Sequence, residues 1–281
     1  MLAQSTLKHF RLFRDPFLDD VRGVEDVFIS PETRYVMHAM RDAAEGQGII
    51  AVVADSGAGK TTLRRMLIQE LRDNDKVSVI MPSIIDKSRV TAAGLCEAII
   101  ADVSDETPKR SMEAKTRQVE RLLRDASRSD QRHVMIIEEA HDLTVPTLRY
   151  LKRFWELEDG FTKLLGIILI GQTELGVKLQ EHRNSQAREF IRRCIKIELG
   201  PLGNDLSAYL EHKFSRVGSS LDKVLEPDAL EAIQHRLRRK EKGNVISDVY
   251  PLAVNNLMAE VMNLSADLGE ERVSAELVLN A

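Results

Sequence analysis

Residues 49–62 combine a glycine-bearing turn with a lysine and hydroxyl side chains, a set that binds phosphate groups. The apolar run 49–54 predicts a buried strand, and a helical pattern follows Lys60. A turn between strand and helix directs successive backbone N–H groups and the positive helix end at one point. Lys60 would reach the β- and γ-phosphates of ATP, and Thr61 would coordinate Mg²⁺. We expect the nucleotide to be bound by Asp55, Ser56, Gly57, Ala58, Gly59, Lys60, Thr61 and Thr62.

This segment, residues 54–61, departs from the pattern G-x-x-x-x-G-K-[ST] of a P-loop at its first position, which is Ala54. An ordinary connection between a strand and a helix, with a surface lysine, would also fit these letters. The apolar strand before the turn and the helix after it favour the P-loop interpretation.

A second candidate is the acid segment, residues 138–142, which follows the apolar run 133–137. We expect this run to be a buried strand beside the P-loop strand, so that its carboxylates face the nucleotide. Glu138 would hold Mg²⁺, and Glu139 would orient or deprotonate the attacking water. Glu138 is one methylene longer than the usual aspartate, so we expect slow hydrolysis. In the alternative interpretation, both acids face solvent or end the strand.

Two further features belong to the same chemistry. Gln172 ends the next apolar strand, 164–170, where it would contact the γ-phosphate or the water, unless it is a buried strand-end amide. Arg188, Arg192 and Arg193 precede the last strand, 194–199. An arginine there could stabilise the charge that develops in phosphoryl transfer on a neighbouring subunit. A solvated helix face is the alternative.

Strands alternate with helices up to residue 199, which predicts an α/β fold with a parallel sheet covered on both faces. Beyond Pro201 the pattern is helical only, over residues 204–217, 226–240, 245–264 and 273–280. We therefore predict an N-terminal arm at 1–29, a nucleotide-binding core at 30–200 and a small all-helical lid at 201–281.

The composition excludes several classes. With 40 Lys and Arg against 44 Asp and Glu, the net charge of −4 argues against a globally basic nucleic-acid coat but leaves room for local basic clusters. Cys96 and Cys194 are far apart and suggest neither a disulfide framework nor a zinc site. No stretch approaches the roughly 20 apolar residues that span a bilayer. The sequence thus predicts a cytoplasmic protein without a membrane segment.

Taken in order, these motifs resemble those of AAA+ ATPases, and within them the group of ExeA-like proteins and transposition ATPases such as phage Mu protein B. The resemblance covers most of the chain and is carried by residues 12–17, 48–65, 136–141, 148–151, 156–158, 169–175, 199–202 and 209–210. It implies a P-loop AAA+ sheet followed by a helical lid, with ATP and Mg²⁺ as cofactors.

The resemblance also implies roles for single residues: Walker A for Lys60 and Thr61, Walker B for Glu138 and Glu139, sensor 1 for Gln172, and the arginine finger for Arg192 or Arg193. Besides Ala54 and Glu138, one departure lies in the lid. After Gly243 the chain reads Asn244-Val245-Ile246-Ser247-Asp248, without the proline-arginine pair that serves ExeA-like relatives as sensor 2. A nucleotide-sensing lid is therefore not expected.

The first function that the resemblance implies is DNA transposition. In that role an ATP-bound homo-oligomer, a ring or a helical filament, binds double-stranded DNA without sequence specificity, selects the target and stimulates a transposase. Non-specific binding needs cations directed at phosphates. The candidates are Lys87, Arg89, Lys109, Arg110, Lys152 and Arg153, each of which could equally be a solvated surface charge.

The alternative is an ExeA-like ATPase that drives assembly of an envelope secretion apparatus, or a signalling ATPase with a protein partner. An ExeA-type ATPase sits beside a membrane anchor. The sequence contains no apolar stretch that would serve as one, so we favour transposition.

Overall fold

The computed structural model describes residues 1–18, 21, 23–74, 76–83, 86–241 and 243–281. Its helices are α1 Gln4–His9, α2 Pro31–Glu45, α3 Lys60–Asp73, α4 Ala92–Val103, α5 Met112–Arg128, α6 Val145–Trp155, α7 Thr173–Lys178, α8 Arg188–Arg193, α9 Leu206–Ser215, α10 Ala229–Arg236, α11 Pro251–Leu268 and α12 Ala275–Asn280. Its strands are β1 Ile49–Ala54, β2 Val77–Ile80, β3 Arg132–Ile137, β4 Glu158–Asp159, β5 Thr162–Lys163, β6 Gly166–Gly171, β7 Cys194–Leu199, β8 Arg238–Glu241 and β9 Asn244–Ser247.

The chain divides into two compact units. One contains Pro31–Asp55 and Lys60–Leu199, and the other contains Met1–Ser30, Ser56–Gly59 and Gly200–Ala281. The segment predicted as a separate arm thus groups with the C-terminal residues. The reason is apolar burial, because Phe10 and Leu12 belong to the same core cluster as side chains of α9 and α11.

The first unit is built on a parallel sheet with the strand order β2-β3-β6-β1-β7. Every residue of β1 and β6 is buried, as the continuous apolar runs predict for strands covered on both faces. Helices of the same unit pack on it, with α2 against β1, β3 and β6, and α4 against β2. The predicted α/β fold is confirmed.

The position of β3 differs from the prediction. It does not lie beside the P-loop strand, because β6 stands between them and pairs with both β1 and β3. Gln172, which follows β6, therefore comes from the strand between those that carry the P-loop and the acid segment. The carboxyl ends of parallel strands still meet at one edge of the sheet, so all three segments are brought to that edge.

The C-terminal part of the second unit is helical, as predicted, with one exception, a two-stranded hairpin. The predicted helix 226–240 ends at Arg236, and β8 and β9 form an antiparallel hairpin in which Arg238 pairs with Ser247. Gly243 adopts a φ of +88°, which favours glycine, and the β-branched pair Val245-Ile246 suits a strand.

The helix predicted to begin at residue 245 begins instead at Pro251, which occupies its first turn. The segment Asn244–Asp248 is thus no helix start. The residue after this proline is Leu252, so the start of α11 also lacks a proline-arginine pair.

Candidate nucleotide-binding site

The P-loop backbone has the curvature that the sequence predicts. Gly57 and Gly59 have φ values of +77° and +96°, which residues with a side chain adopt only with strain. The helix α3 begins directly afterwards at Lys60. Ala54 is the last residue of β1, and its φ is not positive. Alanine in place of the usual glycine therefore causes no backbone strain here.

Lys60 is held by neutral acceptors. Its Nζ donates hydrogen bonds to the carbonyl oxygens of Ala54 at 2.9 Å and Asp55 at 2.7 Å. Burial lowers the pKa of Lys60, and the carboxylates of Glu139, Asp55 and Glu174 oppose that shift. Thr61, the proposed metal ligand, is exposed in the first turn of α3. A cation held by carbonyls at a helix N-terminus is available to phosphate.

Glu138 and Glu139 differ although they are adjacent. Glu138 forms an ion pair with Arg64 of α3, with Oε2 2.8 Å from Nη1, and is about one quarter exposed. Glu139 is half-exposed and adopts the left-handed conformation, with φ 50° and ψ 37°. That conformation costs a non-glycine residue about 1–2 kcal/mol. Strained residues of this kind cluster at active sites.

His141, which the sequence predictions passed over, joins the acid segment to the end of β6. Its Nδ1 accepts a hydrogen bond from the backbone N–H of Gln172 at 3.3 Å and lies 3.5 Å from Oε2 of Glu139. Lys178 of α7 donates to the carbonyls of His141 and Leu143, and burial lowers the pKa of that lysine. The sequence could have indicated a role for His141, because it lies among acids directly after an apolar strand. No pattern in the sequence indicates a role for Lys178.

The candidate arginine fingers lie on α8, and both are exposed. Arg192 forms a two-pronged pair with Glu181, with donor to acceptor distances of 3.0 and 2.8 Å. Arg188 lies 2.9 Å from the same carboxylate. Arg193 donates to the backbone carbonyl of Glu189 and lies 5.9 Å from the centre of the Trp155 ring. Arg192 would have to leave Glu181 to reach a nucleotide.

The six DNA candidates fall into different surroundings. Arg89 pairs with Asp86 at 3.0 Å. Lys152 is held between Glu189 and Glu156, whose hydrogen bonds raise its pKa, with Glu189 contributing more. No described residue forms an ion pair with Lys109, Arg110 or Arg153, and all three are exposed. Of the six predicted DNA contacts, these three side chains are therefore the ones that a DNA phosphate could reach without breaking an ion pair.

Lys87 is partly buried and donates to the carbonyl of Pro82 at 3.1 Å. Burial lowers its pKa, while Glu138 and Glu139 oppose the shift. The 3-10 turn that carries it packs against the turn Ala140–Asp142. Lys87 thus belongs to the surroundings of the acid segment and not to an open surface.

A polar cavity of about 450 Å³ lies between α6 and α8 and is lined by Arg149, Lys152, Arg153, Glu156, Ser185, Gln186, Ala187, Arg188, Glu189 and Phe190. Lys152 contacts both carboxylates. Arg149, absent from the predicted set, stands one turn before Arg153 and is also exposed. No described residue forms an ion pair with it, so Arg149 and Arg153 leave this cavity cationic.

Two further findings concern metals and membranes. Within the described ranges, no three His, Cys, Asp or Glu side chains converge on one point in the way a protein metal site requires. In the same ranges, no helix has the length and apolarity needed to span a bilayer.

Comparison with known proteins agrees with this geometry. Residues 41–179, which include the P-loop, the acid segment and Gln172, match the family described as AAA domain. One relative of this chain in sequence is general secretion pathway protein A of Aeromonas hydrophila, 26% identical over 221 residues that cover 74% of this chain. The match spans only 39% of the relative's length.

Solved structures share the fold over nearly the whole chain. The Aeropyrum pernix ORC2 protein, in ADPNP-ADP complexes, has a TM-score of 0.55 at 16% identity, covering 95% of this chain and 71% of that one. Cdc6p of Pyrobaculum aerophilum has 0.59 at 12%, covering 93% and 68%. Drosophila ORC bound to DNA has 0.60 at 12%, covering 98% and 64%. These likenesses confirm an AAA+ fold.

Proposed function

We propose that this chain is an ATPase that acts in DNA transposition. Its binding to double-stranded DNA would depend on ATP and would not depend on the DNA sequence. The observation that carries the ATPase part is the meeting of the P-loop, the acid segment and Gln172 at one edge of the sheet. Phosphoryl transfer to water needs these parts: a phosphate cradle with a cation, a metal-binding oxygen and a group that positions water.

Each residue has one task in this reaction. The N–H groups of residues 55–62 and the Nζ of Lys60 would bind the β- and γ-phosphates. Glu139 would hold the attacking water and take its proton, and its exposed carboxylate leaves room for that water. Gln172 would orient the water or the γ-phosphate from the end of β6, the strand between β1 and β3. His141 would hold the acid segment at the end of β6 through the hydrogen bond that the Gln172 N–H donates to it.

The chain's residues fit Mg²⁺, which prefers one or two protein oxygens and completes its shell with phosphate oxygens and water. Thr61 and Glu138 would supply these oxygens. When bound, the ion neutralises charge on the phosphates. Because Glu138 begins in an ion pair with Arg64, we propose that turnover is slow and is stimulated by DNA or a protein partner.

DNA binding is supported by the exposed cations and by the fold. Arg149 and Arg153 line the cavity between α6 and α8, and Lys109 and Arg110 are exposed in the loop before α5. Such side chains suit phosphate contacts, which carry no sequence information. One protein with this fold, Drosophila ORC, has been solved bound to DNA. The chain's net charge of −4 makes the binding depend on these local clusters.

We propose that binding requires a homo-oligomer, a ring or a helical filament, in which Arg193 or Arg192 reaches the nucleotide of a neighbouring copy. Repetition of one weak basic patch along the duplex would sum many contacts. ATP would assemble this oligomer, and a transposase would be the partner that the DNA-bound form stimulates. The location we propose is the cytoplasm.

The test is an anisotropy titration of random duplex DNA with ATP, ADP or no nucleotide, at several salt concentrations. We expect binding only with ATP, equal for unrelated sequences, and weaker by a factor of about 10³ or more between about 50 and 200 mM salt. The double variant Arg149→Gln and Arg153→Gln should bind all DNA sequences more weakly by the same factor. Its affinity should also depend less steeply on the salt concentration. Arg117→Gln is the matched control, because Arg117 is exposed but paired with Glu113.

A second candidate function follows from the sequence relative. The match to general secretion pathway protein A supports an ExeA-like ATPase that acts on a protein partner. DNA binding absent in all three nucleotide states at low salt would reject the transposition role and favour this alternative. Tight binding to one sequence without ATP would indicate a conventional regulator.

A further inference from the structure

Arg64 is a second partly buried cation of the site, to which the family motifs assign no role. It stands one turn after Lys60 on α3 and contacts Glu138, with Nη1 2.8 Å from Oε2. The two side chains are only 19% and 27% exposed. The Nε of Arg64 is buried and has no hydrogen-bond partner among the described residues.

This contact involves the carboxylate that is proposed to hold Mg²⁺. The guanidinium occupies Oε2 of this carboxylate, and its positive charge opposes the approach of a metal ion to the same group. Glutamate in place of the usual aspartate matters here, because the additional methylene lets the carboxylate extend towards α3. The metal side of the site is thus neutralised by the chain's own cation.

We propose that Arg64 is the counter-ion of Glu138 in the metal-free protein and that Mg²⁺ with ATP must displace it. Arg64 then sets the Mg²⁺ concentration at which the site loads. This inference rests on the proposed nucleotide-binding function and names a positioning residue of the same site.

The electrostatics of α3 explain why the pair forms and why it can break. Lys60 and Arg64 are like charges four residues apart, which repel each other on a helix, so Arg64 gains from an acidic partner. Its fork is only partly used, since Nη1 is bonded and Nε is not, and an unbonded buried donor is costly. A divalent ion at Glu138 would repel the guanidinium and free it to take another rotamer.

The experiment measures the affinity for a fluorescent ATP analogue at a series of free Mg²⁺ concentrations. We expect Arg64→Gln to reach its half-maximal gain in affinity at about three- to tenfold lower Mg²⁺ than the wild type, because the competitor is gone. Affinity without Mg²⁺ should be unchanged. Arg65→Gln is the matched control, since Arg65 is the next residue of α3 but is exposed, and it should leave the midpoint unchanged.

A second readout needs neither nucleotide nor metal. Arg64→Gln and Glu138→Gln should each lower the melting temperature, and the double variant should lose less than the sum, because both single changes break one pair. In the Glu138→Gln background, Arg64→Gln should no longer shift the Mg²⁺ midpoint. If Arg64→Gln does not fold, Arg64→Lys is the alternative, because lysine keeps the positive charge but lacks the planar guanidinium. Its Mg²⁺ midpoint should lie below that of the wild type but above the value expected for Arg64→Gln.

Two results would overturn the inference alone: an unchanged or higher Mg²⁺ midpoint in Arg64→Gln, or loss of Mg²⁺-free nucleotide affinity in a folded Arg64→Gln protein. The second would mean that Arg64 contacts phosphate directly. A wild-type protein that binds no ATP analogue at any Mg²⁺ concentration would overturn the proposed function together with this inference.

Discussion

The P-loop and the acid segment meet at one edge of the sheet but differ in how their charges are held. In the P-loop, the Lys60 ammonium donates to two backbone carbonyls, which a phosphate can replace without breaking an ion pair. In the acid segment, Glu138 is paired with Arg64 and Glu139 is strained. In the proposed site, the phosphate side would therefore accept its ligand without breaking an ion pair, whereas the metal side would have to rearrange.

This difference separates binding from turnover. Changes in the P-loop should act on nucleotide affinity, and changes in the acid segment should act on hydrolysis. Each prediction below tests one side of that division.

The largest effect is expected for Glu139→Gln. The amide keeps the shape of the side chain but cannot take a proton, so turnover should fall by about 10²- to 10⁴-fold while ATP affinity stays within a factor of two or so. Phosphate release and fluorescent ATP binding measure the two quantities. If Glu138→Gln and not Glu139→Gln gives this pattern, the roles of the two acids are exchanged.

Lys60→Ala should act on the other side of the division. It removes the cation placed at the β- and γ-phosphates, and loss of charge-assisted hydrogen bonds worth roughly 3 kcal/mol corresponds to about 100-fold weaker binding. Titration with the ATP analogue measures it, and Lys76→Ala, at an exposed lysine of the same unit, is the control. Wild-type affinity in Lys60→Ala would refute the P-loop assignment.

A smaller effect tests the strand that leads to the acid segment. His133 of β3 is buried, and desolvation lowers its pKa from the ordinary 6.5 to about 4. Between these two values the unfolded chain binds the proton and the folded chain does not, so stability falls as the pH falls. From pH 7 to pH 5 the loss from this residue is roughly 2 kcal/mol.

Urea unfolding of the wild type and of His133→Asn at both pH values measures this term. The variant should lose less stability than the wild type on acidification, by about that amount. Equal losses of unfolding free energy in the two proteins would mean that His133 is protonated in the folded state at pH 5. The side chain would then not be desolvated in β3.

The sequence predicted those parts of the site that depend on neighbours along the chain. The P-loop turn, the start of α3 and the acids after β3 are local patterns, and the structure has them at the predicted residues. The departure at Ala54 could not be judged from the letters alone, because the decisive quantity is a backbone angle.

The predictions failed where pairing is distant. The insertion of β6 between β1 and β3 follows from hydrogen bonds between segments far apart in sequence, and no periodicity encodes that order. The β8–β9 hairpin is another such case, because most of its strand residues lie within the predicted helices 226–240 and 245–264 and its basic residues fit both patterns. Arg64 was overlooked because its partner, Glu138, lies 74 positions away in the chain.

One measurement tests the central claim most directly, since it joins the site to the DNA. Random duplex DNA is titrated with Glu139→Gln and with Lys60→Ala in the presence of ATP and Mg²⁺. The account predicts that Glu139→Gln, which keeps ATP, binds DNA at least as tightly as the wild type, and that Lys60→Ala, which stays unloaded at an ATP concentration that just saturates the wild type, does not bind. Equal DNA affinity of the two variants would contradict the account, because DNA binding would then not depend on nucleotide at this site.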